Sequence, residues 1–402
     1  MEDKKIRNKI ITISGEPVSG KGTAVKKMIE KLKEKGYTDE QIHLRTTGHE
    51  FRRYFNSVIE FVLNLSNAEK LEEISSRQEL KDFFENSTYR QLLVKTIVEL
   101  KDSGTDLTQF TIEQANNSEL FHDIRNVVDE LIDNRMKRLG NEINSEEHPN
   151  DIWIIDSRLA FDNIPESFAV RLTANPQVAG ERLFNDKSRG AEDSQYSSIE
   201  EAIKEREERK EGEKKRYAKK YNVNLEDENN YDLIIDTSYS TPDDIASTIL
   251  ECSELYYQDK PFGKKWASPN LFLPLQREIQ TYEPSTMCKI SLEDLTEQIK
   301  ENGYYPESTI QVVDVDGRKY IIEGHHRNFA TARAGNTLIP YETIAKNDEF
   351  IPGSKITARQ RAEYISLSNI YGHEDMVGSD FRYDKIYPGI YKEVQELEGE
   401  TR

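Results

Sequence analysis

The chain has 402 residues and a formal net charge of −19, which repels nucleic acid and anionic membrane surfaces, so an anion site must gather its positive charge locally. An apolar and aromatic content of 36% suits two or three globular domains, and no run approaches the roughly 18 apolar residues of a membrane span. The start, MEDKKIRNK, lacks the apolar core of a secretory signal, so the cytoplasm is the expected location.

In chain order, Ile10–Ser14 reads as a short strand that enters the glycine-rich stretch Gly15-Glu-Pro-Val-Ser-Gly-Lys-Gly-Thr23. A helix follows, with Val25, Met28, Ile29 and Leu32 at i, i+3, i+4 and i+7 and Gly36 as its cap. Gln41–Arg45 fits a second strand and Phe51–Leu65 a helix. Residues 66–120 form a polar insertion, helical in patches, with a loop signal at Ser103-Gly104-Thr105. Helical spacing returns over 123–139. Strand-like runs come next at Ile152–Asp156, Phe168–Thr173 and Tyr231–Thr237, with a long charged helix over Ile199–Tyr221. This alternation predicts an α/β fold, a parallel sheet flanked by helices.

A linker is expected at 258–268, where prolines, a glycine and charges cluster. A smaller α+β domain over 269–345 follows. It has a helix at Leu292–Asn302, strands Ile310–Val315 and Lys319–Glu323 about the turn Asp316-Gly317, and a helix from about Arg327. Residues 346–402 read as a helical extension. Cys252 and Cys288 form neither a disulfide framework nor a metal spacing.

The glycine-rich stretch lies between a strand and a helix, the context a phosphate-binding loop requires. Backbone N–H groups of Gly15, Ser19, Gly20, Lys21, Gly22 and Thr23 would face phosphates at the helix start. Lys21 would neutralise phosphate charge, and Thr23 would sit near phosphate and magnesium.

Gly-Lys-Gly-Thr in this loop resembles nucleoside monophosphate kinases. Further segments, in order, are similar to cytidylate kinases: Gly48-His-Glu-Phe-Arg52, Trp153-Ile-Ile-Asp-Ser-Arg158, Ser167–Thr173 with Glu181-Arg182, Arg209–Tyr217, and Tyr231–Thr237. The resemblance covers about residues 1–257. It departs from the family at Val18 and Ser157, which stand where glycines are usual, and at the insertion 66–120.

The resemblance implies Mg²⁺-dependent phosphoryl transfer from ATP to a nucleoside monophosphate, CMP or dCMP, with a lid over about 182–216. Lys21, Arg158, Arg182, Arg209 and Arg216 would be catalytic. Arg52, Arg135, Asp156 and Arg158 would hold the acceptor, and Thr23 with Asp156 would serve the metal. The seven-residue spacing of Arg209 and Arg216 puts both on one helix face.

Tyr320-Ile-Ile-Glu-Gly324-His325-His326-Arg327 reads as strand, tight turn and helix start, and resembles the Gly-x-His-Arg motif of the ParB/sulfiredoxin-like fold. Leu273-Pro-Leu-Gln276-Arg277 stands where that fold has its first signature. The resemblance implies that Gly324, His325, His326 and Arg327 contact a nucleotide. A sulfiredoxin would carry cysteine at His325, and a partition protein would need a DNA-binding region that is not visible here. The expected partners are small-molecule nucleotides, not nucleic acid or membrane. Two rival readings are a kinase for another metabolite, with the second module carrying a serine-kinase-like phosphotransfer, and a non-catalytic nucleotide sensor.

Overall fold

The computed structural model of the chain describes residues 8–65, 67–102, 104, 111–145, 150–186, 196–274 and 290–371. The chain divides into two units, residues 1–13 with 40–167 and residues 14–39 with 168–402. Neither unit ends at the expected linker. The architecture is mixed α/β, with mostly parallel strands flanked by helices.

The first unit holds three parallel strands, β1 (Lys9–Gly15), β2 (Ile42–Thr46) and β3 (Ile152–Asp156). β3 lies in the middle: Ile152 stands opposite both Lys9 and Ile42, and Asp156 opposite both Ile13 and Thr46. Ile10 and Ile155 pack with Met136, Ile143, Ala160 and Ile164 on one face.

The expected insertion contributes four helices after α1 (Lys21–Glu34) and α2 (Thr47–Leu63). These are α3 (Ala68–Ser75), α4 (Gln78–Glu85), α5 (Ser87–Asp102) and α6 (Ile112–Asn117). Asn67 caps α3, and Thr111 with Gln114 forms a reciprocal capping box on α6, so local side chains satisfy the first N–H groups. Their apolar faces meet α2 and α7 (His122–Ser145) in one core that includes Phe55, Val58, Val62, Leu80, Phe83, Leu93 and Val128. The insertion is thus a helical core built out from α2. A short helix, α8 (Ala160–Asn163), follows β3.

The second unit begins with the loop and α1, whose buried stripe is Ala24, Val25, Met28 and Leu32. It then takes in β4 (Phe168–Thr173), α9 (Pro176–Asn185), α10 (Ile199–Tyr221), β5 (Leu233–Asp236) and α11 (Pro242–Tyr257). Ion pairs Lys31–Asp243 at 2.8 Å and Lys35–Glu254 at 2.9 Å fasten α1 to α11.

The stretch expected as a linker supplies β6 (Lys265–Ala267). β6 runs parallel to β5 and antiparallel to β10 (Ile339–Lys346), and it buries Trp266. Beyond it the order is β10, β8 (Ile310–Val315), β9 (Arg318–Glu323), β7 (Phe272–Leu273). The residues expected to form a separate smaller domain therefore continue the pairing of β4 and β5. Side-chain bonds add to the join: the Asp244 carboxylate accepts from the Thr337 N–H at 3.1 Å, and Ser240 Oγ donates to the Thr337 carbonyl at 2.9 Å. Asp316 and Gly317 take φ of 52° and 85°, the left-handed pair of a two-residue hairpin between β8 and β9. Helices α12 (Leu292–Asn302), α13 (His325–Arg333) and α14 (Ala358–Tyr371) complete the unit. Gln276, Arg277 and Cys288, with residues 187–195 of the expected lid and 372–402 of the C-terminal extension, lie outside the described residues.

Candidate functional site

The glycine-rich loop belongs wholly to the second unit. A Cβ on Gly15 would sit 2.7 Å from Ser19 Oγ and 2.8 Å from the Leu172 carbonyl oxygen, so only glycine fits there. The Glu16 N–H donates to that same carbonyl at 3.0 Å, and the Ser19 N–H closes the turn onto the Glu16 carbonyl at 3.2 Å. Gly20, at φ 79°, turns the chain into α1. Val18 takes φ 62° without glycine's freedom, a costly conformation for a β-branched residue. The first turn of α1 carries no acidic side chain, so its N-terminal field is uncompensated from within the helix. Lys21 is partly buried there, and Gly22 and Thr23 are exposed. Ser19 is buried, and its Oγ has no hydrogen-bond partner among the described residues.

A carboxylate inside this loop, Glu16, is held by three cations. Arg206 approaches it at 2.5 Å, Lys210 at 3.0 Å and Arg171 at 3.4 Å. The Arg206 side chain is 0% exposed. Its guanidinium also donates to the carbonyls of Pro17 at 3.3 Å and Ala174 at 3.2 Å, and pairs with Glu207. One buried arginine on α10 therefore ties that helix to the loop and to the end of β4. Sequence reasoning missed it. The only available signal was Ala202, four residues earlier, which marks the inward face of a helix without an apolar stripe.

Arg209 and Arg216 stand on the exposed side of α10. Arg209 pairs with Glu213 at 3.2 Å, and Arg216 lies over the Tyr217 ring and donates to its hydroxyl at 3.1 Å. Arg182 is half-buried and donates to Thr237 Oγ1 at 3.1 Å and to the Thr237 carbonyl at 2.5 Å. Burial pulls its pKa below the usual arginine value, and Asp236 opposes that shift. Thr237 Oγ1 in turn donates to the Ser19 carbonyl at 3.0 Å. Arg182 thus supports the loop from behind.

The residues expected to hold an acceptor belong to the first unit. His49, Arg52 and Asn56 share one stripe of α2 and, with Arg53, Ser57, Glu60 and Arg77, line a pocket of about 400 Å³. Arg77 is neutralised by Glu60 and Arg53 by Glu79, each at 2.6 Å. Arg135 lies over the buried Tyr54 ring, 5.4 Å from its centroid, and donates to its hydroxyl. Asp156 ends β3 half-buried, its carbonyl accepting from Thr47 Oγ1 at 3.3 Å, and Arg158 lies half-buried two residues on. Asp156 and Thr23, the expected metal pair, fall in different units. Among the described residues, no group of three or more His, Cys, Asp or Glu side chains is placed to hold a metal ion.

Gly324, at φ 98°, opens α13, which begins at His325 rather than at Arg327. Arg327 is anchored to the turn before β8, donating to Ser308 Oγ at 2.9 Å and to the Thr309 carbonyl at 2.8 Å. His325 is buried, and its Nε2 has no hydrogen-bond partner among the described residues. Burial pushes its pKa down to about 4, with His326 and Arg361 acting in the same direction. His326 is half-buried beside it.

No protein-family model matches the chain. Over 170 residues it is 28% identical to an S-adenosylmethionine-dependent nucleotide dehydratase from Lacinutrix mariniflava, a match covering 41% of this chain and 31% of that relative. Two solved structures are weakly similar. One is an uncharacterised protein from Eubacterium ventriosum, with TM-score 0.34 and 12% identity over 61% of this chain and 99% of that one. The other is a Thermus thermophilus protein, with TM-score 0.23 and 15% identity over 52% and 85%. Likeness at that level carries no argument.

The dehydratase relative corrects the sequence expectation of a cytidylate-type kinase using Mg²⁺ and ATP. Its named activity is removal of water from a nucleotide, and its named cofactor is S-adenosylmethionine. No helix among the described residues is long and apolar enough to cross a membrane.

Proposed function

We propose that the chain is a nucleotide-binding protein that takes its ligand by the phosphates on the loop Gly15–Thr23 and serves the nucleotide chemistry for which its Lacinutrix relative is named. The observation that supports this most is the loop itself. Gly20 turns a strand into α1, no acidic residue opposes the helix N-terminus, and Lys21 and Thr23 lie in the first turn. In this reading the loop with its strands is of the P-loop class. Residues 269–345 are a ParB/sulfiredoxin-like module whose Gly324, His325, His326 and Arg327 contact a second nucleotide group.

S-adenosylmethionine does not fit this loop. It carries a sulfonium cation, and Lys21 with a ring of N–H donors suits an anion. The loop is assigned to the nucleotide, and no step is derived through S-adenosylmethionine.

The test is calorimetric titration of the full chain with nucleoside triphosphates and, separately, with S-adenosylmethionine. Lys21→Ala is expected to weaken triphosphate binding by about tenfold or more, because a charge-assisted contact to phosphate is lost. Equal affinity of wild type and variant for every triphosphate, or no binding by wild type, would overturn the assignment.

A further inference from the structure

Thr237–Thr241, the turn between β5 and α11, is bonded at both ends. At the first end Thr237 is 1% exposed, and its hydroxyl donates to the Ser19 carbonyl of the loop at 3.0 Å. The Thr173 carbonyl lies equally near that hydroxyl but has the Thr237 N–H at 2.9 Å, which leaves the hydroxyl hydrogen to Ser19. At the other end the Thr241 N–H donates to Thr337 Oγ1 at 3.0 Å, and Ser240 Oγ donates to the Thr337 carbonyl at 2.9 Å. Thr337 Oγ1 in turn donates to the Asp244 carboxylate, which also accepts from the Thr337 N–H at 3.1 Å. Thr337 stands two residues before β10.

The turn has little slack between these ends. Ser238 Oγ accepts from the Asn175 N–H at 2.8 Å and donates to Asp236 at 2.5 Å. Of the five residues, Tyr239 alone projects half-exposed, and the other four are tied by the bonds above. The position of Thr237 therefore depends on where Thr337 holds Ser240 and Thr241.

Thr237 acts on the loop through peptide geometry. The Ser19 carbonyl and the Gly20 N–H share one trans peptide plane, so they point in opposite directions. Fixing the carbonyl aims the Gly20 N–H away from Thr237. Gly20 has no side chain to hold that plane itself. A donor fixed in advance costs no reordering when a ligand arrives.

We infer that Thr337 is a positioning residue for the loop Gly15–Thr23: it anchors the end of the turn, and through Thr237 and the Ser19–Gly20 peptide it sets the direction of a loop N–H. The residues after β6 thereby brace the loop as well as extend the sheet. This deepens the proposed function and rests on it for the nature of the ligand.

Thr337→Val keeps the side-chain shape and removes the hydroxyl. Amide hydrogen exchange of the ligand-free full chain reads the brace: exchange across residues 15–23 is expected to quicken about threefold to tenfold, the scale of one hydrogen bond. Thr337→Ser keeps the hydroxyl and is expected to match wild type. Thr296→Val is the control for lost stability alone, since it removes a buried hydroxyl bonded to the Leu292 carbonyl within α12, and it is expected to leave the loop unchanged. The pair Thr237→Val with Thr337→Val is expected to behave as Thr237→Val alone, because both break one chain of contacts. With ATP as a triphosphate probe, Thr337→Val is expected to bind about threefold to tenfold more weakly than wild type, and Thr337→Ser equally well. Loop exchange unchanged in Thr337→Val, quickened as much by Thr296→Val, or additive in the double variant would overturn the inference. So would a quickened loop with undiminished ATP affinity. If wild type binds no triphosphate while Thr337→Val still quickens the loop, the proposed ligand falls and the brace stands.

Discussion

Replacing Arg206 by methionine removes the guanidinium from Glu16 while keeping most of the stem volume. Deleting one partner of a buried ion pair costs roughly 3–5 kcal/mol, because the other charge stays behind. Lys210 and Arg171 remain at 3.0 and 3.4 Å from Glu16, which places the expectation at the lower end, about 3 kcal/mol. The carbonyls of Pro17 and Ala174 lose a donor as well, but those bonds are long, at 3.3 and 3.2 Å, and add a fraction of about 1 kcal/mol each. A loss of about 3–4 kcal/mol corresponds to a fall in melting temperature on the order of 10 °C for a unit of this size. Differential scanning calorimetry measures it. The double variant Glu16→Gln with Arg206→Met removes the charge from both sides and is expected to recover about 2 kcal/mol of the loss, since an uncharged pair in place of a buried salt bridge is close to neutral. A single-variant loss below about 1 kcal/mol, or a double variant equal to the sum of the singles, would refute the view that Arg206 and Glu16 act as one unit.

Two further outcomes follow from the same structure. Val18→Gly relieves a β-branched residue at φ 62°; strain of roughly 1–3 kcal/mol is removed against roughly 0.5–1 kcal/mol of added chain entropy, so a gain of about 1 kcal/mol is expected in thermal denaturation, and a loss of that size would refute the strain. His325 contributes a pH dependence: its pKa falls from 6.5 unfolded to about 4 folded, so as pH drops the unfolded chain takes the proton first. Its stabilisation is full above pH 6.5 and is lost as pH falls from 6.5 toward 4, by roughly 3 kcal/mol in all. In melting temperatures followed from pH 7.5 to 4.5, wild type is expected to fall relative to His325→Phe toward the acid end; parallel curves would show that His325 does not titrate as its burial requires.

The boundaries of α10 were legible, since Ile199–Tyr221 begins after Ser198 and is helix-forming throughout. Its orientation was not. A helix charged at most positions has no apolar stripe to fix its face, so the seven-residue spacing of Arg209 and Arg216 defined a shared side without showing that this side is exposed. The inward face is set by Ala202 and Arg206, and Arg206 is buried only because Glu16, 190 residues away in sequence, meets it there. β6 escaped for a different reason. Three residues between Gly263 and Pro269 are too short for periodicity, and their strand conformation comes from the pairing with β5 and β10. The insertion was legible as helical, but its core with α2 and α7 depends on contacts that no single segment encodes.

The negative charge of the chain poses a problem for the proposed phosphate loop, and Glu16 sharpens it by placing a carboxylate inside that turn. The structure answers with position. Glu16 turns toward Arg206, Lys210 and Arg171, so its charge is spent on the side of the loop that faces α10 and β4. The Gly20 end, where α1 begins, keeps Lys21 and a first turn without acids. Coulomb attraction falls with distance and is screened in the exposed half, so a carboxylate neutralised on one side subtracts little from the field on the other. On this argument Glu16 serves the loop as an anchor: it fixes the backbone through a buried arginine and keeps its own charge away from the start of α1.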